Sequence, residues 1–494
     1  MPRLRPDHSR PARFIAVLLY NRRALGGESS GASVQRQRKI NHLTDTPNPR
    51  AEHGSADAAE RGLARPAADA TPAWRAVAAF AAGTLFFGLA FVHRVAPSVM
   101  TTELMRDFAV GGAALGTLSA WYFYTYASIQ IPVGMLNDRF GPRRLMTAAV
   151  AVCALASFGF AASESLLAAS FFRALIGASV AFAFVGTLTI AGYWFAPARF
   201  AMLAGAVQSI GMLGAVAGQA PLRYVIEQFG WRAVTHVIGA VAVALAALLF
   251  FIVPRRPRNP VAATGDGDAE KHPVFKGFIA VLRNPQSWAC AGIGFGMTAI
   301  MLAFAGLWAP KWLRDVYGYA EVQSGAVVSM LFLGWAIGAP VMGWLSDYTG
   351  RRKPVLLAGI LCNSVLFALI LFAGWRAPGP LSALFFMLGI SGSMMTIAFG
   401  CMRELNPPRH GSTAMGLVNM CVVGSGAVMQ PVIGWLLDLG WNGRLVAGAR
   451  VYESAVYSGA FTVLFASNLL ALLCVLLLRE TYCKQVVGDD GDSR

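Results

Sequence analysis

Charged side chains are scarce in this chain of 494 residues. Asp, Glu, Lys and Arg together make up 13% of it, whereas soluble globular domains carry roughly 25%. Hydrophobic residues make up 56%. A soluble protein of this length would need more charge to cover its surface, so the composition indicates a polytopic membrane protein.

Motifs for metal binding and catalysis are also absent from the sequence. The seven cysteines form no CxxC pair and no Cys/His cluster, and six of them lie inside apolar segments, which argues against zinc and a disulfide framework. The sequence contains no Walker loop, no GxSxG and no HExxH motif. We therefore expect no metal, no cofactor and no enzymatic activity.

Acidic residues are fewer than basic ones, with 25 Asp and Glu against 41 Lys and Arg, so the net charge is +16. This excess could indicate nucleic-acid binding. The basic residues, however, lie between apolar segments, where the positive-inside rule places them in membrane proteins. The expected partners are therefore the lipid bilayer and a small-molecule substrate, with no nucleic acid.

Twelve apolar segments approach or exceed the ~20 residues that an α-helix needs to cross a bilayer. They predict an all-α membrane protein with twelve transmembrane helices. Their approximate limits are 75–99, 113–134, 144–163, 166–190, 200–222, 232–253, 286–309, 323–343, 354–374, 380–401, 412–437 and 455–478.

A long polar break divides these segments six and six. The predicted regions are a disordered tail (1–72), an N-terminal six-helix bundle (73–253), a linker (254–285), a C-terminal six-helix bundle (286–478) and a second tail (479–494). With the N-terminus inside, the cytoplasmic loops hold fifteen Lys and Arg residues and the outer loops eight. The linker and both tails are therefore predicted to be cytoplasmic.

The two halves repeat each other. "GMLNDRFGPRR" at 134–144 matches "GWLSDYTGRRK" at 343–353, and "FVHRVAP" at 91–97 matches "FAGLWAP" at 304–310. Parallel repeats of six helices are one of the known transporter architectures.

The two loop sequences closely resemble the signature loop of the major facilitator superfamily, and "FFRALIGAS" at 171–179 resembles its R-x-x-x-G pattern. The run from His93 to Gly141 is similar to bacterial relatives of the lysosomal dipeptide transporter. The fifth helix departs from the antiporter motif, because Gln219 stands where that motif has proline. The resemblance implies two pseudo-symmetric bundles that alternate access to a midplane site.

The resemblance also implies that both loops gate the cytoplasmic side, with Asp138 and Asp347 as their carboxylates. A carboxylate there can pair with an arginine or with a helix N-terminus. The alternative is a basic anchor that only sets orientation. The candidate gating residues are Gly134, Asp138, Arg139, Gly141, Arg143, Arg144, Gly343, Asp347, Gly350, Arg351 and Arg352.

Three ionisable residues within the predicted spans, His93, Arg94 and Arg173, are candidates for binding the substrate. Such residues normally face a cavity, and guanidinium groups suit carboxylate or phosphate. Alternatively, Arg94 reaches the outer headgroups, Arg173 bonds backbone carbonyls, and His93 is a packed histidine rather than a proton carrier. The other candidates are Tyr122, Tyr126, Gln130, Gln208, Trp308 and Asn419, of which the first three share one helix face.

No Asp or Glu is predicted deep inside a span, which favours a facilitator, an exchanger, or coupling through His93 or the substrate. The resulting hypothesis is a secondary, non-ATP transporter of a small polar anionic organic solute, such as a dipeptide or an organic acid. It is expected to be a monomer in the plasma membrane, the inner one in bacteria. The alternatives are a proton-linked exporter of drugs or siderophores, and a membrane sensor that does not transport.

Overall fold

A computed structural model of the chain describes residues 73–195, 199–254 and 274–487. The predicted N-terminal tail, most of the predicted linker and the last seven residues lie outside these ranges. The described residues form helices joined by short connections, together with one two-stranded antiparallel hairpin in which Leu445 pairs with Arg450.

The helices of the N-terminal half account for the first six predicted spans. They are α1 (Ala73–Val99), α2 (Thr101–Asp107), α3 (Gly112–Ser128), α4 (Gln130–Phe140), α5 (Pro142–Ala161), α6 (Leu166–Val180), α7 (Phe182–Trp194), α8 (Phe200–Ala217), α9 (Ala220–Phe229) and α10 (Trp231–Ile252).

The C-terminal half repeats this order after one additional helix, α11, which lies in the second part of the predicted linker. Its elements are α11 (Val274–Arg283), α12 (Pro285–Ala299), a π-helix (Ile300–Trp308), α13 (Ala309–Tyr317), α14 (Glu321–Thr349), α15 (Lys353–Phe372), α16 (Pro378–Ser393), α17 (Thr396–Glu404), a 3₁₀ turn (Pro408–His410), α18 (Gly411–Leu439), β1 (Leu445–Val446), β2 (Ala449–Arg450) and α19 (Ser454–Leu477).

Eleven helical stretches of the described residues are long and apolar enough to cross a membrane. The remaining predicted span, the second, is α3 and α4 together, and it is interrupted at Ile129, so neither piece alone has spanning length. Span 5 is also broken, between α8 and α9, where Pro221 has no N–H to continue the helix and Gln219 leaves helical geometry.

Glycines allow the helices around the candidate site to approach closely. A Cβ on Gly177 of α6 would collide with the backbone of Tyr122 on α3, so span 4 lies directly against span 2. Small residues permit such close helix contacts in membranes, where apolar side chains gain little by leaving lipid. This contact places Arg173, one turn before Gly177, beside the aromatic face of α3.

The two halves meet at those ends of the spans that are predicted to face the outer side of the membrane. A Cβ on Gly112 or Gly116 of α3 would meet the backbone of α18, and one on Gly325 of α14 would meet Ala220 of α9. At the opposite ends, a Cβ on Gly205 or Gly343 would meet no described atom within 4 Å. The close backbone contacts at Gly112, Gly116 and Gly325 thus lie at the predicted outer ends of the spans.

Candidate substrate site in the N-terminal half

Arg173 joins span 4 to span 1 through the backbone of α1. Its Nη1 donates a hydrogen bond of 2.6 Å to the carbonyl oxygen of His93. In a regular helix that carbonyl would accept from the N–H of residue 97, but Pro97 has none. The buried guanidinium of Arg173 thus satisfies an acceptor that the proline leaves free. This geometry is the backbone-bonding alternative given for Arg173 from the sequence.

Arg94 lies inside the protein and does not reach outward to the headgroups. Its side chain is buried, and its guanidinium carbon lies 4.3 Å from the ring centre of Phe91 and 5.3 Å from that of Tyr126. Cation–π attraction is stronger when the cation is removed from water, so these rings stabilise the buried charge. Its Nε has no hydrogen-bond partner among the described residues.

The tyrosines of α3 are buried in the structure. Tyr122 is fully buried and its hydroxyl donates to the carbonyl oxygen of Ala90 at 2.9 Å. The ring of Tyr126 stacks on it at 6.1 Å between centres, as their i, i+4 spacing permits. The Arg173 guanidinium carbon lies 4.9 Å from the centre of the Tyr122 ring. One tyrosine therefore touches spans 1 and 4 together.

His93 contributes its backbone, and not its ring, to the arginine contact. Its buried imidazole Nε2 lies 3.4 Å from Oγ of Ser157 on α5, and the Ser157 hydroxyl donates to the carbonyl oxygen of Cys153. The ring is therefore packed against span 3, which agrees with the packed-histidine alternative from the sequence.

The two buried arginines have no carboxylate within ion-pair distance in the part of the chain that the structure describes. The described ion pairs all involve other residues. Buried charges are normally paired, since an unpaired one is costly to remove from water. Arg94 and Arg173, with the hydroxyl-bearing rings of Tyr122 and Tyr126, thus form a cationic cluster (the arginine cluster below) that an anion would complete.

The remaining substrate candidates do not join the arginine cluster. Gln130 begins α4 with its Nε2 buried and without a described partner, Gln208 is exposed, and Asn419 is partly buried. Trp308 is fully buried, and its Nε1 donates to the carbonyl oxygen of Gln430 at 3.1 Å. Trp308 therefore belongs to the core of the C-terminal half.

The matching region of the C-terminal half contains a π-helix that the sequence patterns did not predict. Residues 300–308 form it, and Gln430 of α18 donates from Nε2 to the carbonyl oxygen of Leu302 at 2.7 Å. π-Helical turns are rare and occur frequently at functional sites. Gln430 corresponds to Gln219 when the two halves are aligned at the offset of their repeat.

Sequence reasoning also missed a buried ion pair at the outer end of span 7. Lys311 Nζ lies 3.0 Å from the carboxylate of Asp315, which also accepts a hydrogen bond of 2.7 Å from the hydroxyl of Tyr457. Asp315 lies in the last turn of α13, and its partners from α13 and α19 leave its side chain 9% exposed. No group of three or more potential metal ligands occurs among the described residues.

Comparison with known proteins identifies the family. A family model described as Major Facilitator Superfamily matches residues 76–428 and 310–486. The chain belongs to the Major Facilitator Superfamily. The family-level resemblance in the loops is thereby confirmed, as is the all-α membrane fold.

Relatives within the superfamily are named as transporters. The chain is 24% identical to the uncharacterized transporter YybO of Bacillus subtilis, covering 81% of this chain and 91% of YybO. It is 28% identical to the probable nitrate/nitrite transporter NarK2 of Mycobacterium tuberculosis, covering 57% and 68%. It is 23% identical to the probable galactarate/D-glucarate transporter GudP of Escherichia coli, covering 72% and 85%.

A solved superfamily structure has the same fold. A bacterial homologue of the human lysosomal transporter Spinster, in an inward-facing and unoccupied conformation, superposes with a TM-score of 0.65 at 16% identity. The match covers 84% of this chain and 97% of the homologue. The likeness shows the fold alone, because the identity is low.

The first superfamily loop makes a tight turn at Gly141. Helix α4 ends at Phe140, Gly141 adopts a positive φ of 75°, and Pro142 begins α5. Arg143 stacks over Phe250 at 4.8 Å, and Arg144 is exposed. The side chains of the other three gating candidates here lie outside the described part of the structure: Gly134, Asp138 and Arg139.

The second superfamily loop is bonded within its own half. Asp347 pairs with Arg352 at 2.6 Å, and Arg352 also pairs with Glu404 at the end of α17 at 2.8 Å. Gly350 ends α14 with a φ of 63°, while Gly343 meets no neighbour and Arg351 is exposed. The described contacts thus join spans 8, 9 and 10, and the gating role of the loop stays a prediction.

Proposed function

We propose that this chain is a secondary transporter that moves a small organic anion across a membrane by alternating access. The observation that carries the proposal is the arginine cluster, in which two buried guanidinium groups have no carboxylate partner among the described residues. A substrate carboxylate entering the cluster would receive charge-assisted hydrogen bonds and neutralise buried charge.

Two features favour an organic acid over a dipeptide or a cationic drug. The relatives in the comparison include transporters named for nitrate or nitrite and for the sugar acids galactarate and D-glucarate. A dipeptide also carries an amino group, which needs a carboxylate, and the cluster has none among the described residues. A cationic drug would be repelled by Arg94 and Arg173.

Alternating access is supported by the contacts between the halves. The helices of the two halves meet closely at the predicted outer ends, where Gly112, Gly116 and Gly325 lie against the backbone of the other half. Such an arrangement suits a carrier whose cytoplasmic side opens by rocking of the two bundles. With this orientation both termini are cytoplasmic.

The test begins with purified protein and a thermal-shift screen against organic acids, sugar phosphates, dipeptides and siderophores. Stabilising anions are then assayed for uptake into proteoliposomes, using the wild type, Arg94→Gln and a control variant, Arg376→Gln. Arg376 is an exposed loop arginine whose described hydrogen bond uses only its backbone carbonyl.

We expect Arg94→Gln to weaken binding of the anion by about tenfold or more, since hydrogen bonds to charged groups contribute roughly 1.5–3 kcal/mol. Arg376→Gln should transport like the wild type. Equal uptake by all three proteins would refute the role of Arg94. Binding without any flux would favour the membrane sensor, and accumulation that follows an imposed pH gradient with a drug or siderophore would favour the proton-linked exporter.

A further inference from the structure

We propose that Asp438 of the C-terminal half holds the outer ends of the two bundles together by capping the first turn of span 2. The inference rests on the proposed alternating access and adds a residue that controls it. Asp438 lies in the last turn of α18, and its carboxylate accepts hydrogen bonds of 2.8 Å from the backbone N–H groups of Gly112 and Ala113.

Helix α3 has no cap of its own at this end. The first four N–H groups of any helix lack partners within it, and Ser, Thr, Asp or Asn usually supplies an oxygen from the residue before the helix. Here that residue is Gly111, which makes no side-chain cap. The carboxylate from the other half therefore takes the role that a local side chain usually has, and it also faces the positive end of the helix dipole.

The backbone at this contact leaves no room for larger residues. A Cβ on Gly111 would lie 2.6 Å from Oδ2 of Asp438, and one on Gly112 would lie 2.8 Å from the carbonyl oxygen of Gly434. Two consecutive glycines at the start of α3 thus let α18 approach until the carboxylate reaches the N–H groups. The local sequence is suited to the contact between the halves rather than to capping within α3.

Two side chains of the loop after α18 hold the carboxylate in place. The hydroxyl of Tyr452 donates to Asp438 at 2.7 Å, and Arg450 Nη1 lies 3.1 Å from the same oxygen. Arg450 in turn stacks over Trp441 at 4.1 Å. We call Asp438, Arg450, Tyr452 and the first two residues of α3 the outer clamp.

Opening of the outer side must break the outer clamp. If the bundles rock apart at this end, the N–H groups of α3 move away from α18, while Arg450 and Tyr452 stay with Asp438 because they belong to the same half. The clamp bonds therefore exist only while the outer ends are together, so they stabilise the state that is closed on the outside and leave the outward-open state without them.

A second contact between the halves joins α9 to α14. Arg223 of α9 pairs with Glu103 at 2.6 Å within its own half, and also with Glu321 at the start of α14. Glu321 additionally pairs with Arg314 at 2.8 Å. This contact remains when Asp438 is changed. A variant of the outer clamp should therefore lower the population of the outward-closed state without abolishing it.

The experiment measures the distance between the outer ends directly. Spin labels are placed at Glu164→Cys and Ala377→Cys, exposed positions in outer loops of opposite halves, after the seven native cysteines are replaced. Pulsed electron paramagnetic resonance then gives the distribution of distances between the two labels in proteoliposomes without substrate. The control is Asp107→Asn, since Asp107 bonds to Trp231 and Arg232 within the N-terminal half.

We expect Asp438→Asn to raise the population with the longer distance by about tenfold relative to the wild type, because an amide replaces the charge that accepts both N–H groups. Asp107→Asn should leave the distribution unchanged. Tyr452→Phe should shift it in the same direction by a smaller factor, and it decides the question if Asp438→Asn is not recovered folded.

Unchanged distributions in a folded Asp438→Asn protein, or in Tyr452→Phe where only that variant folds, would overturn the outer clamp. This result would leave the proposed anion specificity untouched, because no substrate is present. Conversely, equal anion uptake by Arg94→Gln and the wild type would refute the role of Arg94 but would not change the distance result.

Discussion

Pro97 and Pro310 occupy matching places in the two halves of this protein, but the side chains that bond the backbone near them differ in charge. In span 1, Pro97 frees the carbonyl of His93, and a cationic side chain, Arg173 from span 4, occupies it. In span 7, Pro310 lies at the matching position, just after a π-helix. A neutral side chain, Gln430 from span 11, donates a hydrogen bond to the carbonyl oxygen of Leu302 in that π-helix. At these matching places, the N-terminal half therefore has a buried arginine with no carboxylate partner among the described residues, and the C-terminal half has a neutral amide.

This difference teaches how a repeated scaffold acquires an asymmetric site. In each half a side chain donates a hydrogen bond to a backbone carbonyl near a helix irregularity, where an unpaired carbonyl in a membrane interior would be costly. Meeting that need with an arginine adds a charge that can also attract an anion, whereas meeting it with an amide adds none. We infer that substrate charge is recognised by the N-terminal half.

The largest effect is expected from replacing Arg173. Arg173→Gln should abolish anion transport and lower thermal stability, because it removes the charge and leaves the His93 carbonyl with a weaker donor or none. Arg173→Lys should restore part of the stability but little transport, since an ammonium lacks the planar fork. Flux in proteoliposomes and melting of detergent-purified protein check both.

Wild-type flux in a folded Arg173→Gln protein would contradict the role of Arg173 in substrate binding. If only stability changed, Arg173 would serve the backbone of α1 alone and the comparison between the halves would lose its functional meaning.

A smaller effect is expected from replacing Gln430, the neutral donor in the C-terminal half. Gln430→Met removes the donor to the Leu302 carbonyl and should lower the free energy of unfolding by about 1–2 kcal/mol, the cost of a buried acceptor left unpaired. The KM for the anion should change by less than about threefold, since no charge is lost. Gln219→Met is the matched control, because Gln219 bonds a hydroxyl, that of Ser98, and not a backbone carbonyl.

A loss of substrate affinity in Gln430→Met as large as that in Arg94→Gln would show that the C-terminal half shares in binding the charged group. Melting curves and initial rates of uptake from the same preparations distinguish the two outcomes.

The smallest effect is expected from replacing Glu480, whose carboxylate bonds the backbone of the second superfamily loop. Glu480 accepts hydrogen bonds of 2.9 Å from the N–H groups of Arg352 and Lys353 at the start of α15. Burial alone would raise the pKa of Glu480, but these backbone bonds lower it overall. A lowered pKa in the folded state means that the carboxylate stabilises the fold above its unfolded pKa, roughly 4.3, and that this stabilisation is lost as the pH falls further.

Glu480→Gln should therefore lower the melting temperature slightly at pH 7, by the equivalent of about 1 kcal/mol for a helix cap. The difference from wild type should persist to about pH 5 and shrink below about pH 4, where the wild-type carboxylate becomes protonated. A difference that does not change between pH 7 and pH 3.5 would show that shape, and not charge, holds this contact.

Much of the fold was predictable because hydropathy and loop charge act locally along the chain. The superfamily loops were recognisable for the same reason, and the turns at Gly141 and Gly350 follow from glycine's tolerance of positive φ. The roles of the charged residues were less predictable. Arg94 could equally have reached the headgroups, and only the rings of Phe91 and Tyr126 around it decide against that alternative.

The sequence by itself determined the membrane class, the two repeated halves and the superfamily, and it indicated that Arg94 and Arg173 lie within spans. Only the tertiary structure decided which partners these cations have. Arg173 bonds a carbonyl 80 residues away, and Asp438 caps a helix 326 residues away. Residues so far apart in sequence meet only through packing of the helices, because hydropathy specifies that a segment crosses the membrane but not which neighbours it contacts.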